Sequence, residues 1–342
     1  MKYIRTYETK EKFLTDKDST SRGFRLKPTL YKYSEAGDHV HLENDDPRKH
    51  EGSTYMEITL DSDVEFSFYI GNKSGDTQTT MNCSIDWGDG TVETKTITEE
   101  IMTDDYKGFK LSHNYKAGSY KIELYGVERD YSVVGDIKNW KSLISHPSSV
   151  KRVILGGGVV SIWKYVFRDC TSLTSIHIPE RVTIISMSAF WDCKSLTSIN
   201  IPEGVTKIRN GAFKNCTSLT SINIPEGVTS MEDSAFNHCT SLKSIHIPES
   251  VTSIRACTFN HCTSLKSIHI PESVTSIESQ AFEYCTSLVS ISSLNTTAPT
   301  LSNYRVFNNI PTNGTLHIKP GATGYNAWLS ALPSGWTIVE DL

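Results

Sequence analysis

The sequence lacks most features of membrane, secreted and nucleic-acid-binding proteins. No apolar run approaches the roughly 20 residues that span a bilayer, and the charged N-terminal residues 1–18 contain no apolar run of signal-peptide length. The formal net charge is −5, with 34 basic and 39 acidic residues spread along the chain. Because phosphate binding needs clustered Lys and Arg, no nucleic acid is expected as a partner. These absences predict a soluble protein made in the cytoplasm, or one whose leader has been removed.

Catalytic signatures are also missing. The sequence contains no G-x-S-x-G, H-E-x-x-H, P-loop or dinucleotide-binding fingerprint. Residues 156–158 are three glycines, but no Lys-Ser or Lys-Thr follows them, so a turn explains them better than a phosphate site. Asp86 and Asp89 stand without the remaining ligands of an EF-hand calcium loop. We therefore expect a protein that is not an enzyme and that holds no cofactor and no metal.

The 8 cysteines include no C-x-x-C pair. Six of them recur at intervals of 23 residues, at Cys170, Cys193, Cys216, Cys239, Cys262 and Cys285. Each unit thus offers a single thiol on a different turn, whereas a metal site needs converging ligands. Stacked parallel side chains rarely give the dihedral angle that a disulfide needs. We expect these thiols to be free, buried and used as small apolar residues, and Cys83 to be a strand core residue.

The same 23-residue step governs the apolar residues. Phenylalanine recurs from Phe167 to Phe282, leucine from Leu173 to Leu288 and isoleucine from Ile176 to Ile291, without an insertion. The unit reads A-F-x-x-C-x-S-L-x-S-I-x-I-P-x-x-V-T-x-I, in which L-x-x-I-x-I alternates as a short strand and proline ends the pairing. One unit cannot bury its own apolar side chains. Six stacked units predict a right-handed solenoid with parallel strands on one face.

This unit resembles the BspA-like, or Treponema-type, leucine-rich repeat, and the match covers residues 150–294. The family is common in surface and host-contact proteins of gut and oral bacteria, so the resemblance implies adhesion and recognition. A degenerate first turn is expected from a set of apolar residues one step upstream: Val150, Val153, Leu155, Val159 and Ile162. Residues 295–342, with Tyr325, Trp328 and Trp336, are expected to form a C-terminal cap, since terminal repeats must cover the open core.

A second resemblance precedes the repeats. Asp86-Trp87-Gly88-Asp89-Gly90, followed by the segment H-N-Y-K-A-G-S-Y at residues 113–120, resembles the two motifs of PKD-type immunoglobulin-like domains. Residues 65–70 alternate as a strand, and Gly-Asp-Gly supplies a turn. We place this β-sandwich at residues 55–128 and a junction at residues 129–149. The predicted fold class is therefore mainly β: a leucine-rich-repeat solenoid preceded by an immunoglobulin-like sandwich.

Residues 1–54 are polar and rich in turn signals. Residues 27–33 and 39–42 suit a hairpin, and residues 5–13 resemble the short N-terminal attachment segments of virion proteins from phages that infect gut Bacteroidales. The resemblance implies that residues 1–54 form an N-terminal attachment segment that contacts other virion proteins. Because virion proteins assemble inside the host cytoplasm, it also agrees with the missing leader.

Recognition is expected at outward positions that vary between repeats while the core stays constant. The candidate surface consists of polar and aromatic residues at equivalent places in successive units: His177, Trp191, Asn200, Asn223, His238, His246, His261, His269 and Tyr284. Drift at unconstrained positions would produce the same variation. A metal ion between His246 and His269 is an alternative, but two imidazoles without a carboxylate make a poor site. Trp191 is either an exposed contact residue or packed against a neighbouring loop.

The sequence thus favours a non-enzymatic protein that presents its solenoid to a bacterial or host cell-surface protein or glycan. We expect a phage virion or tail appendage, with a bacterial cell-surface adhesin as the alternative. A purely structural protein that assembles with copies of itself, as a homo-oligomer, is the third hypothesis.

Overall fold

A computed structural model of the chain describes residues 2–5, 30–33, 39–41, 53–72, 80–98, 100–103, 106–125, 127, 131–133 and 144–342. The chain divides into two compact units, Met1–Glu51 and Gly52–Leu342. The first unit contains one sheet of three antiparallel strands, β1 (Lys2–Arg5), β2 (Leu30–Tyr33) and β3 (His39–His41). The pairing of β2 with β3 confirms the predicted hairpin. Most of the predicted attachment segment, residues 6–13, lies outside the described residues.

The second unit begins with seven strands that pair antiparallel in two sheets. They are β4 (Thr54–Leu60), β5 (Val64–Asn72), β6 (Thr80–Asp86), β7 (Val92–Thr98), β8 (Glu100–Thr103), β9 (Tyr106–Tyr115) and β10 (Gly118–Tyr125). Strands β4, β10, β6 and β7 are neighbours in one sheet, and β5, β9 and β8 in the other. Alternate side chains of β4 are buried, and both sheets contribute to one core that includes Phe66, Trp87 and Leu111.

Both of these sheets continue into the repeats. The next strands are β11 (Tyr131–Val133), β12 (Val150–Ile154) and β13 (Val159–Ile162). Strand β12 pairs antiparallel with β4, while β11 pairs antiparallel with β5 and parallel with β13. The amide of Gly156, in the glycine run, donates to Thr54 Oγ1 at 2.9 Å. The repeats are therefore joined to the preceding sheets by the backbone pairing of β11 and β12.

The repeats stack as parallel coils with two columns of strands. The first strand column contains β12, β14 (Ser175–His177), β19 (Ser267–Ile270), β21 (Ser290–Ser293), β23 (Gly314–Ile318) and β24 (Trp336–Glu340). The second strand column contains β13, β15 (Ile184–Ile185), β16 (Lys207–Ile208), β17 (Ser230–Met231), β18 (Ser253–Ile254), β20 (Ser276–Ile277) and β22 (Thr300–Leu301). The expected degenerate first turn is present, because Val150, Val153 and Ile162 are fully buried.

Identical side chains form ladders inside the coils. The rings from Phe167 to Phe282 stack nearly parallel, with centroids 5.4 to 5.8 Å apart. The six repeat cysteines and Cys83 are buried, as expected, and none of them forms a disulfide. Beyond the expectation, each thiol from Cys193 onward donates to the carbonyl of a phenylalanine 26 residues earlier, for example Cys193 Sγ to Phe167 O at 3.1 Å. The thiol therefore also satisfies a buried backbone acceptor.

The segment from residue 295 onward continues both columns before it closes them. Strand β22 pairs with β20, and β23 pairs with β21. Phe307 adds one more ring to the phenylalanine stack, 5.7 Å from Phe282. Helix α1 (Asn326–Ala331) then brings the buried Trp328 to 5.4 Å from Phe307. This segment thus contributes another coil as well as a covering helix.

Candidate recognition surface

The nine candidate residues separate into two surfaces. The strand face consists of the outward residues of the first strand column, and it carries His177, Asn200, Asn223, His246 and His269. The turn face consists of the two residues before each repeat cysteine, and it carries Trp191, His238, His261 and Tyr284. The structure therefore does not bring the nine residues together in one site.

On the strand face, side chains alternate between buried and exposed along the strand, so one residue per coil faces solvent between two buried residues. Ile176 and Ile178 are buried while His177 between them is exposed, and the equivalent Asn200, Asn223 and His246 are also exposed. The residue two places earlier in each coil is a serine, as at Ser198 and Ser221. Each coil from Ser175 to Ser292 has two outward positions in this strand, equivalent to residues 175 and 177. In all of these coils the two positions hold only Ser, Asn or His.

The two histidines considered for a metal site take separate partners. His246 Nε2 lies 2.7 Å from Glu226 Oε1, and this contact, with the amide of Glu249, lowers the pKa of the Glu226 carboxyl. His269 Nδ1 lies 2.8 Å from Ser292 Oγ. Because the rings bind different neighbours, they do not converge on a common point.

The centre of the strand face is a shallow groove. It spans three coils and is lined by Ser198, Ile199, Asn200, Ser221, Ile222, Asn223, Ser244, Ile245 and His246. Between β14 and β19, among the described residues, the regular ladder of this column gives way to an isolated bridge, Asn200 with Asn223, and to single backbone hydrogen bonds such as Thr220 N to Thr197 O at 3.0 Å. The isoleucines of the central coils, at 6 to 7% exposed, are no more exposed than Ile176 of β14, at 8%. The groove therefore lies where regular strand pairing is interrupted.

On the turn face, Trp191 is packed rather than free. Its ring lies between two cations of the adjacent coils, with Arg168 Cζ 3.9 Å and Lys214 Nζ 4.7 Å from the ring centroid. The indole Nε1 is buried and has no hydrogen-bond partner among the described residues. Residues 23 apart stack in register, so the neighbouring cations cover the ring. The structure thus agrees with the packing alternative for Trp191.

The residue immediately before each repeat cysteine has a left-handed backbone. Its φ lies between 60° and 63° at Asp169, Asp192, Asn215, His238, His261 and Tyr284. Asp, Asn and His tolerate this conformation better than most residues. Much of the variation in this column is therefore limited by the backbone, and its use in recognition stays a prediction.

The residue before that one is buried in the later repeats. Asn237, Asn260 and Glu283 are 7%, 6% and 1% exposed. Asn237 Nδ2 donates to Asn260 Oδ1 at 3.2 Å, and Asn260 Nδ2 donates to Glu283 Oε2 at 3.4 Å. These hydrogen bonds make up an in-register ladder. They form only when the donor of one coil and the acceptor of the next lie at the same position around the coil. The spacing of the residues in the sequence does not reveal this.

Glu283 ends that ladder. Burial alone would raise the pKa of its carboxyl, but hydrogen bonds from Asn308 at 3.0 Å, from Gln280 and from Arg305 at 3.1 Å outweigh burial and lower the pKa. The fold therefore stabilises the charged carboxylate of Glu283 relative to the protonated form.

His238, His261 and Tyr284 form an aromatic stack. Ring centroids are 4.1 Å apart between the two histidines and 4.3 Å apart between His261 and Tyr284. Each His Nδ1 donates to the side-chain oxygen of the preceding asparagine at 2.6 Å, so the neutral rings carry their lone pair on Nε2. Burial, followed by the nearby His261 and Lys214, lowers the pKa of His238.

The turn at residues 86–90 is held by its own carboxylates. Asp86 Oδ1 accepts from the amide of Gly88, and Asp89 Oδ1 accepts from the amide of Thr91, each at 2.9 Å. The ring of Trp87 stacks on His113 at 5.0 Å. Both aspartates thus have structural partners in this turn, and within the described residues no group of three or more His, Cys, Asp or Glu is placed to hold a metal ion.

Comparison with known proteins identifies the repeats. The family described as BspA type leucine rich repeat region matches in 6 copies over residues 144–266 and 206–319, which together span just over half of the chain. A leucine-rich repeat protein from Bacteroides ovatus has a TM-score of 0.50 and 23% identity, with 73% of this chain and 60% of that chain covered. The leucine-rich repeat protein of T. pallidum has a TM-score of 0.43 and 23% identity, with 61% and 90% covered.

The chain spans 60% of the length of the Bacteroides ovatus protein, and that similarity concerns the fold. The curated proteins contain no significant match to the chain. Within the described residues, no helix has the length and hydropathy needed to cross a membrane.

Proposed function

Because the chain belongs to the BspA-type leucine-rich repeat family, we propose that it is a non-enzymatic recognition protein that binds a cell-surface protein or glycan through its strand face. The observation that carries this proposal is the strand face itself, where exposed polar side chains repeat on a rigid stacked core. Solenoid repeats create extended surfaces of this kind, and such surfaces serve as binding sites. The central groove gives the face a concave element.

The test is binding of fluorescently labelled full chain to a panel of intact bacterial cells. Recognition predicts saturable binding to some cells, competed by unlabelled protein. Size-exclusion chromatography with light scattering, run in parallel, gives the oligomeric state. A stable assembly that binds no cell of the panel would contradict recognition and favour the purely structural role.

For the strands of residues 53–125 we propose a PKD-type immunoglobulin-like sandwich that acts as a spacer or docking domain. Support comes from the stacking of Trp87 on His113 and from the bond of Tyr115 Oη to the carbonyl of Trp87 at 2.8 Å, which join the two motifs that carry the resemblance. An experimental structure of this region with a different strand order from that of PKD-type domains would overturn the assignment.

We further propose that the protein is carried on a phage virion, as a tail or other appendage protein attached through residues 1–54. The support is the resemblance of residues 5–13 to virion attachment segments. Peptides of this chain in purified virions, detected by mass spectrometry, are the expected result. Detection only in the envelope fraction of a bacterium would favour the surface adhesin instead.

A further inference from the structure

An acidic rim borders the strand face on one side. It consists of the glutamates that follow the proline of each coil: Glu180, Glu203, Glu226, Glu249 and Glu272. All five are exposed. Coils stacked at the spacing of neighbouring strands, about 4.8 Å, place these carboxylates in one row along the solenoid. Like charges this close raise the local negative potential over the face that they border.

The rim is only partly neutralised by the protein itself. Glu226 contacts His246 at 2.7 Å, and Glu272 contacts Lys319 at 3.1 Å. Glu180, Glu203 and Glu249 form no salt bridge within the described part of the chain. The opposite border of the strand face is formed by the residues Thr174, Thr197, Thr220, Lys243, Lys266 and Val289. Beside the groove, Glu203, Glu226 and Glu249 on the rim therefore face Lys243 as the one cation on the opposite border. Elsewhere on the face Lys151, Arg152, Arg181 and Lys319 offset the rim, so the excess of carboxylates is local to the groove.

The groove adds a second feature at the middle of this rim. Regular strand pairing is interrupted there, and an isolated bridge takes its place. Serine hydroxyls and asparagine amides line its surface. A ligand that lies in the groove thus meets neutral donors and acceptors in the middle and carboxylates along one edge.

From this arrangement we propose that the groove docks a cationic segment of a partner protein, with Lys or Arg side chains over the acidic rim and polar backbone over the Ser and Asn lining. Complementary charge of this kind speeds encounter and selects partners. An anionic glycan would be repelled by the row of carboxylates, and a neutral glycan would gain nothing from the rim's charge. This inference rests on the proposed function and specifies the chemistry of its ligand.

The experiment measures binding of the full chain to three probes by biolayer interferometry. The probes are a 12-residue peptide of alternating Lys and Thr, the same peptide with Glu in place of Lys, and cellohexaose. We expect saturable binding of the lysine peptide alone, weakening as the salt concentration rises, because exposed charges are screened. Equal binding of the two peptides, or binding of cellohexaose alone, would overturn the proposal.

Two variants separate docking in the groove from general charge attraction. Glu180→Gln/Glu203→Gln/Glu249→Gln is expected to weaken lysine-peptide binding about tenfold, from the usual worth of exposed ion pairs, while the matched control Glu57→Gln/Asp61→Asn/Glu65→Gln leaves it unchanged. Asn223→Trp fills the groove without changing charge and is expected to abolish binding. Its control is Thr252→Trp, at an exposed position next to the second strand column, with melting temperatures verifying that each variant folds.

The possible failures are distinguishable. In one outcome, Asn223→Trp abolishes binding to intact cells while the triple glutamine variant binds those cells as well as the unaltered protein. The strand face is then the binding surface, and the proposal of a cationic ligand is wrong. If neither variant changes binding to cells, the proposal that the strand face binds the ligand is wrong.

Discussion

The strand face and the turn face repeat with the same period, yet the chain uses them differently. On the strand face the outward residues have extended backbones, and most are exposed. On the turn face one column has a left-handed backbone, and the other becomes buried in a ladder that ends at Glu283. Backbone conformation and burial therefore constrain the residues of the turn face, whereas they leave the outward residues of the strand face exposed. Sequence variability alone does not locate a recognition surface; the backbone conformation and the burial of each position decide.

The largest expected difference concerns Glu283. Replacing Glu283 with Ala removes the acceptor shared by Asn260, Asn308 and Arg305, and we expect a loss of about 2–3 kcal/mol in the free energy of unfolding. The matched change Glu249→Ala, on the acidic rim, is expected to cost less than about 0.5 kcal/mol. Urea denaturation of both variants measures the difference. Similar midpoints would show that the turn-face ladder is not a structural element.

The next comparison uses one substitution on both faces. His238→Val places a β-branched residue at a φ of 60°, which is expected to cost about 1–2 kcal/mol of stability. His246→Val, on the strand face, loses an exposed contact with Glu226 and gains a residue suited to extended backbone, so we expect a change within about 0.5 kcal/mol. Thermal unfolding followed by circular dichroism compares the two. A larger loss of stability for His246→Val than for His238→Val would contradict the conclusion that the backbone constrains the turn face and not the strand face.

A smaller effect is expected at Trp191. Trp191→Ala removes the ring that lies between Arg168 and Lys214, at an expected cost of about 1 kcal/mol. Binding to cells should be unchanged, because the ring is packed within the turn face. Lost binding with unchanged stability would identify Trp191 as a contact residue after all.

The smallest expected effect is a pH dependence of stability. The folded pKa of His238 is lowered by burial, so the unfolded chain binds the proton more readily. The stabilisation is complete above the unfolded pKa, about 6.5, and is lost as the pH falls through the interval down to the folded pKa. His238→Asn should therefore show a smaller fall in melting temperature between pH 7.5 and pH 5.5 than the unaltered protein. An equal fall in both would rule out His238 as the source.

The repeat core was predictable from the sequence because its determinants are local and periodic. The 23-residue step of Phe, Cys, Leu and Ile identifies which side chains face inward, and the structure buries these residues. The family match rests on the same pattern. The expectation that the strand places His177 and Asn223 outward follows from alternation alone and agrees with their exposure.

Other features depend on relations that a single sequence does not display. The pairing of β12 with β4 joins residues about 100 positions apart. Burial of Asn260 and Glu283 arises only when stacking puts donors and acceptors at the same height. One signal was available in the sequence: Asp, Asn and His before most repeat cysteines indicate a left-handed backbone.

The most direct test of recognition by the strand face compares binding to intact cells for two tryptophan variants. Asn200→Trp/Asn223→Trp alters the strand face at two exposed positions, and Lys194→Trp alters an exposed position beside the turn face. The account predicts that the double variant loses saturable binding while Lys194→Trp keeps it, with both melting temperatures close to that of the unaltered protein. Retained binding by the double variant, with binding lost in Lys194→Trp, would contradict it.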